Sequence, residues 1–460
     1  MGLNSTPSSE RVQIGFFGKR NAGKSSIVNK ITNQKMSLVS EVKGTTTDPV
    51  IKTMEILPLG PVVIIDTPGL DDVGELGEMR VKRTSEILDR VDIAVVVIDV
   101  NEIIELDEEN ISLLNKDLEI KNYESDQSTD FIKSDSDKIN NSDLKLKYKD
   151  ADFEKEKELI ALLEKKKVPY IIVLNKIENY ENIIKAKLDD IRSFFKETGI
   201  ATQNISLIPA SALSETGIHE IKEEIAHLIP DKHSYPLVSD LIEENDTIIL
   251  VIPIDSAAPK GRIILPQQMV LREVLDKKAI AICVQPENLV ATIANLKEKP
   301  KLVITDSQAF GEVKDMVPED IYLTSFSILM ARHKGILTET YKGIKSIDSL
   351  KNGDKILISE GCTHHRQCDD IGTVKIPNWL KKYTGLDLHF EFSSGAGYPE
   401  NLNEYALIIH CGGCMLGDKQ VQARIKKAYN AGVNVTNYGI AIAYMKGILD
   451  KAVSVVPEIS

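Results

Sequence analysis

Apolar residues along this chain gather into short runs separated by polar loops and helical patterns, the alternation that builds parallel α/β sheets. In the first half the runs fall at 12–17, 62–65, 93–98, 170–174 and 207–210, and each predicts a buried strand. Further along, runs at 247–252, 279–283 and 301–305 predict a smaller set, with helical patterns at 267–275 and 287–296 between them. Two more runs, at 354–359 and 405–409, predict parallel strands of a third set, followed by a helix over 419–430 that Gly432 closes. The alternating Leu388-His389-Phe390-Glu391-Phe392 makes His389 a sheet residue rather than a ligand. The expected fold class is therefore α/β, in three domains: 1–232, 237–338 and 339–460, the outer two each with a mainly parallel sheet.

The stretch 101–151 interrupts the first set. Its core is rich in Asn, Lys, Ser and Asp, which predicts a disordered surface insertion over about 105–150. With 460 residues, 42% hydrophobic and 27% charged, the composition is that of a soluble globular protein of several domains. No apolar run approaches the ~20 residues of a membrane span, and the polar N-terminus is no secretory signal. A cytoplasmic protein without membrane contact is expected. The formal charge of −13 argues against nucleic acid as the main ligand. Five cysteines with one pair at CxxC spacing suit a reducing compartment better than a disulfide framework. Cys283, inside an apolar run, reads as core.

Chemistry enters with the first strand. It runs directly into Gly18-Lys19-Arg20-Asn21-Ala22-Gly23-Lys24-Ser25-Ser26, a GxxxxGKS loop between a strand and a helix. Backbone amides of such a loop cradle phosphates, Lys24 reaches the β and γ oxygens, and the Ser25 hydroxyl binds Mg2+. The remaining parts of a GTPase follow in order. Thr45 and Thr46 lie in a polar loop where a switch threonine completes the Mg2+ shell. Asp66-Thr67-Pro68-Gly69 is a DxxG whose aspartate supports Mg2+ and whose glycine amide senses the γ-phosphate. Asn175-Lys176-Ile177-Glu178 occupies the base-recognition position, and Ser211-Ala212 follows the last strand. Lys24, Asp66 and Gly69 are the expected catalytic residues. The first domain is thus expected to be a doubly wound P-loop GTPase.

Glu178 stands where guanine recognition normally uses aspartate, so the carboxylate arrives on a longer arm. Asn21, two residues before the second loop glycine, is where potassium-activated GTPases hold a K+ beside the phosphates. Leu70 stands where many GTPases carry a water-positioning glutamine. Asn21 and Leu70 together resemble the TrmE-like GTPases.

Near the C-terminus Cys362-Thr363-His364-His365 and His410-Cys411-Gly412-Gly413-Cys414 each follow an apolar run. If both runs are parallel strands of one sheet, both clusters sit at its carboxyl edge, where open α/β sheets place ligands. Thiolates on a glycine turn fit an iron–sulfur cluster best. Zinc on Cys362, Cys411, Cys414 and one histidine is the chemical alternative, and a CxxC redox pair is a third reading that leaves Cys362 unexplained.

A TrmE-like GTPase, an α/β middle domain and a CxH…HCxxC domain together resemble the HydF family of FeFe-hydrogenase maturation GTPases. The resemblance implies a scaffold that hydrolyses GTP, binds a 4Fe–4S cluster and delivers a diiron precursor to the apo FeFe-hydrogenase. It implies radical-SAM maturases as partners and a homodimer formed through the middle domain. It matches Cys362, Cys411 and Cys414 to the cluster's cysteine ligands, and His364 and His410 to the motif histidines, either a possible fourth ligand. The alternative is a TrmE-like or ribosome-assembly GTPase acting on RNA, with a structural metal domain. A scaffold whose GTPase is vestigial is also conceivable, but the intact Lys24, Ser25 and Asp66 argue against it.

Overall fold

The computed structural model describes residues 7, 9–32, 50–67, 77–105, 147–149, 153–200, 206–229, 235–254, 263–361, 370–395 and 397–459. The chain forms two compact units, one holding Arg11–Asp231 and the other holding Lys232–Ser460 with the short segment Pro7–Glu10.

The first unit is built on β1 (Val12–Phe17), β2 (Val50–Ile56), β3 (Gly60–Asp66) and β4 (Ile93–Asp99). After β4 a small antiparallel pair, β5 (Ile104–Glu105) and β6 (Lys147–Tyr148), brackets the expected insertion, most of which lies outside the described residues. The sheet is completed by β7 (Tyr170–Asn175) and β8 (Leu207–Pro209), in the order β2-β3-β1-β4-β7-β8. All neighbours are parallel except β2 and β3. The five expected strands are present, and β2 is an addition. Its side chains alternate between half-buried and exposed, as an edge strand requires, so it has no continuous apolar run to announce it. Register brings Phe16 opposite Asp66 and Asp99 opposite Asn175, which gathers the ends of β1, β3, β4 and β7 at one edge.

The second unit holds two four-stranded parallel sheets. In the first, β9 (Thr247–Val251), β10 (Ile280–Val284), β11 (Leu302–Thr305) and β12 (Tyr322–Ser325) take the order β10-β9-β11-β12. In the second, β13 (Lys355–Glu360), β14 (His389–Ser394), β15 (Leu407–His410) and β16 (Asn434–Asn437) take the order β14-β13-β15-β16. His389 lies exposed on β14, in keeping with its reading as a sheet residue. Cys283 is exposed, against expectation, because β10 is an edge strand with open faces. One apolar core joins both sheets, from Ile249 and Val303 to Ile358 and Ile409.

The two sheets repeat one another. Each order is second-first-third-fourth, and each fourth strand runs into a helix, Phe326–His333 or Tyr438–Met445. The side chain just before each helix caps it: Ser325 Oγ accepts from Ile328 N, and Asn437 Oδ1 from Ile440 N. Both helices then end in the same Lys-Gly-Ile-Leu, at 334–337 and 446–449. Gly335 and Gly447 take the same left-handed turn, at φ 68° and 70°. The next helices cross over reciprocally. Leu337–Ile344 packs on β16, close enough that a Cβ on Gly343 would lie 2.0 Å from Val435 O, while Thr324 of β12 donates to Ala452 O at 2.8 Å. Among the described residues, no helix is long and apolar enough to cross a membrane.

Candidate functional site

The first site lies at the carboxyl edge of the six-stranded sheet. Two glycines make the phosphate loop possible. A Cβ on Gly18 would lie 2.2 Å from Val97 O, and one on Gly23 would lie 2.1 Å from Asn175 Nδ2; both take positive φ. Asn21 also sits in the left-handed region, at φ 62°. Lys24 is buried and donates through Nζ to Gly18 O (2.8 Å) and Lys19 O (2.7 Å), folding the loop around its own cation. Ser25 Oγ donates to Asp66 Oδ2 at 2.8 Å. The other carboxylate oxygen, Oδ1, is buried and has no hydrogen-bond partner among the described residues. Burial raises the Asp66 pKa, against the lowering effects of Ser25 and Lys24. A buried anionic oxygen without a donor, beside the loop hydroxyl, is what a divalent cation would satisfy. The residues present fit a magnesium nucleotide.

The base half of the cleft is equally tied down. Asn175, almost fully buried, donates to Ala22 O at 2.8 Å and accepts from Ala212 N at 3.4 Å, so it joins the phosphate loop to the loop after β8. Ser211 Oγ donates to Glu178 Oε2 at 2.7 Å and accepts from Leu213 N and Ser214 N. The longer acidic side chain is therefore anchored at the mouth of the cleft. Lys176 is held by Asp99, 2.6 Å from Nζ. An open cleft of about 680 Å³ runs between these groups, past Gly23, Ser26, Asn175, Lys176, Glu178 and Ala212. Thr45, Thr46 and Gly69, with Leu70, lie outside the described residues.

Sequence reasoning missed several supports of this site. Lys30 and Glu215 form a 2.6 Å ion pair at the cleft, from the helix after the phosphate loop to the loop after β8. Lys19 reaches Glu102 and Glu156, both at 3.4 Å. Glu156 is buried; its pKa is raised by that burial and lowered by Lys19. Asp99 ends an apolar strand, and that position was the only available clue to it.

The second site lies at the carboxyl edge of the sheet β14-β13-β15-β16, at the switch between β13 and β15. Cys411 directly follows β15 and donates N–H to Ser359 O at 2.8 Å. Its Sγ accepts from Gly361 N (3.1 Å) and Gly413 N (3.4 Å). Burial nevertheless pushes the thiol up to about 11 while these two amides pull it down. Gly413, at φ 65°, turns the loop, and Leu416 N closes it on Gly413 O at 2.9 Å. The helix that follows runs Asp418–Asn430, starting one residue before the expected 419. A half-buried sulfur that accepts two backbone amides, with Cys414 three residues on, is a donor set suited to a metal–sulfur group. Cys362 and His364 lie outside the described residues, and among those described no group of three or more His, Cys, Asp or Glu is assembled to hold a metal.

His410 departs from expectation. It is fully buried, with Nδ1 2.7 Å from Cys411 O and Nε2 3.2 Å from Arg424 Nη1. Arginine only donates, so Nε2 accepts, and the ring proton sits on Nδ1 and goes to the Cys411 carbonyl. Burial, and then the Arg424 charge, hold the ring pKa down to about 4. A neutral imidazole with both nitrogens engaged offers no lone pair to iron in this arrangement. Glu360, also missed, is a buried carboxylate at the end of β13 that accepts from Tyr438 Oη at 3.2 Å.

Comparison with known proteins adds three family models. Residues 338–455 match the hydrogen maturase F tetramerization domain, 237–335 the hydrogen maturase F dimerization domain, and 13–124 the 50S ribosome-binding GTPase model. Among curated relatives, the tRNA modification GTPase MnmE of Pelagibacter ubique is 40% identical over 134 residues, covering 25% of this chain and 30% of that protein. GTPase Der of Helicobacter hepaticus is 38% identical over 120 residues, covering 25% and 24%. The chain thus spans less than a third of the length of these relatives. Among solved structures, Era in complex with MgGDPNP and a 16S ribosomal RNA segment aligns with a TM-score of 0.29 at 16% identity, covering 60% of this chain and 93% of that one.

Proposed function

The chain belongs to the hydrogen maturase F family, and from that premise we propose that it is a GTP-hydrolysing scaffold that binds a 4Fe–4S cluster and passes a diiron precursor to an apo FeFe-hydrogenase. The carrying observation is the Cys411 loop: a half-buried thiol with two amide donors at the β13/β15 switch, in a chain whose first unit holds an intact phosphate loop. Cys362, Cys411 and Cys414 would hold the cluster, whose chemistry is to keep iron and sulfide in an exchangeable form. We retain 1–232, 237–338 and 339–460 as the working division of labour.

In the first unit Lys24 neutralises phosphate charge, Ser25 and Asp66 hold the divalent cation, and Asn175 and Glu178 orient the base. Asn21 is assigned to K+, and Thr46 and Gly69 to the switch loops. The radical-SAM maturases and the apo-hydrogenase are the proposed partners, in the cytoplasm. Self-association is assigned to the exposed edge β10, where Ile280 and Cys283 lie open on a strand that pairs, among the described residues, with β9 alone.

Iron and sulfide analysis with EPR, on anaerobically reconstituted wild type and Cys411→Ala, tests the cluster. About four irons per chain, lost in the variant, are expected; one zinc and no sulfide would overturn the reading. Phosphate release in K+ against Na+ tests the GTPase. The RNA-acting alternative rests on relatives that match about a quarter of this chain, and nucleic acid co-purifying with the full chain would revive it.

A further inference from the structure

We propose that Arg424 is a positioning residue for the cluster loop, acting through His410 to fix the Cys411 carbonyl and to place a positive charge behind the thiolates. This rests on the cluster reading above, and it assigns His410 to support rather than to ligation.

The geometry is a buried chain of contacts from helix to loop. Arg424 projects from Asp418–Asn430 with little exposure, and its guanidinium lies 5.0 Å over the Tyr398 ring. Nη2 donates to Gly395 O, and Nη1 donates to His410 Nε2 at 3.2 Å. His410 in turn donates through Nδ1 to Cys411 O at 2.7 Å. The same helix grips the loop a second time, since a Cβ on Gly413 would meet Val421 Cγ2 at 2.9 Å. Arginine and histidine thus hold the backbone of the residue whose sulfur receives the Gly361 and Gly413 amides.

The bland reading makes His410 and Arg424 a satisfied core pair with no bearing on the cluster. Two features argue against it. The chain of contacts ends on the main chain of a proposed ligand, and a buried guanidinium one imidazole removed from that residue would favour the cluster's reduced, more negative state, against the nearby Glu360 carboxylate. A second partner on a ligand commonly tunes both retention and potential.

The test uses full-length Arg424→Met, Arg424→Lys and His410→Asn, with circular dichroism to confirm folding. Arg424→Met should lower the cluster's midpoint potential and speed iron loss to a chelator roughly tenfold. Arg424→Lys, which keeps the charge, should return the potential toward wild type. His410→Asn keeps a donor for the Cys411 carbonyl, so it should load iron and show the same pulsed-EPR nitrogen couplings as wild type. A strongly coupled nitrogen present in wild type and lost in His410→Asn would make His410 a ligand and overturn the inference. So would an Arg424→Met protein with unchanged potential and retention. If wild type assembles no cluster, the scaffold reading fails separately, and iodoacetamide labelling of apo Cys411 decides the inference. Slower labelling in Arg424→Met, as loss of the cation that favours the thiolate requires, supports it, and equal or faster labelling overturns it.

Discussion

Gly343→Ala probes the reciprocal packing of the second unit. Gly343 sits in the helix Leu337–Ile344, and the new Cβ would meet Val435 O at 2.0 Å, its carbonyl carbon at 2.7 Å and its nitrogen at 2.9 Å. These are backbone atoms of β16, which is paired along β15 up to His410 opposite Asn437, so no flexible side chain can swing aside. Forcing atoms into a filled core costs about 1–3 kcal/mol, and a backbone obstacle belongs at the upper end. Against that, glycine to alanine within a helix gains about 1 kcal/mol. The net is a loss of about 2 kcal/mol, roughly a thirtyfold drop in the folding constant.

Gly311→Ala is the control, in another short helix of the same unit. There the nearest atom to the new Cβ is Lys446 Cε at 3.5 Å, an ordinary contact on a flexible side chain. Only the helix gain remains, so this variant should be unchanged or up to about 1 kcal/mol more stable. Trp379, the single tryptophan, packs against the core of this unit, so its fluorescence in urea follows the right transition. Opposite signs for the two variants are expected. If Gly343→Ala stabilises as Gly311→Ala does, the close approach of that helix to β16 is wrong.

Lys24→Ala should weaken GDP binding about a hundredfold, from two charge-assisted contacts at roughly 1.5 kcal/mol each, measured by fluorescent-nucleotide titration; a change under about threefold would contradict the loop geometry. Burial opposes charge on His333, but Glu10 at 3.9 Å and Tyr235 O at 2.7 Å raise its pKa above 6.5. That stabilisation is complete below the unfolded value and fades as pH rises through the folded one, so Glu10→Gln should cost more at about pH 6 than at about pH 8. A cost that grows with pH would refute it. Ile280→Lys on the open edge of β10 should convert a self-associated species to a smaller one in light scattering, and an unchanged mass would move the interface elsewhere.

Much of this was legible because the decisive chemistry is local. The phosphate loop must be a glycine turn between a strand and a helix, and Asp66, Asn175 and Cys411 directly end or follow apolar runs. What escaped is set by tertiary contact. β12 and β16 are four residues each and begin or end in polar side chains, too short for a periodic signal. Arg424 has no local mark, since a helix of mixed charge hides which of its cations faces inward. Glu178 looked like a weakened aspartate, and only the fold shows Ser211 anchoring it. The repeat was in plain view as Lys-Gly-Ile-Leu at 334–337 and 446–449, yet four residues carry meaning only once both are seen to end the same helix.

That repeat also bears on why the cluster is proposed at one sheet and not at the other. At the edge of β11, Asp306 stands where β15 has Cys411, Ser307 where it has Gly412, and Ala309 where it has Cys414. Asp306 is occupied by Gln267 Nε2 at 3.2 Å, and the Ser307 hydroxyl donates to Ser325 Oγ at 3.1 Å, so this crevice is filled by its own side chains. At Gly412, among the described residues, nothing lies within 4 Å of an added Cβ. Gly412→Ala should therefore leave unfolding unchanged while intruding on the space the cysteines share. We expect normal folding with iron lost to a chelator about tenfold faster than from wild type. A Gly412→Ala protein that loads and keeps iron as wild type does would place the cluster away from this turn, and the filled crevice at Ser307 would then explain nothing about the difference between the two sheets.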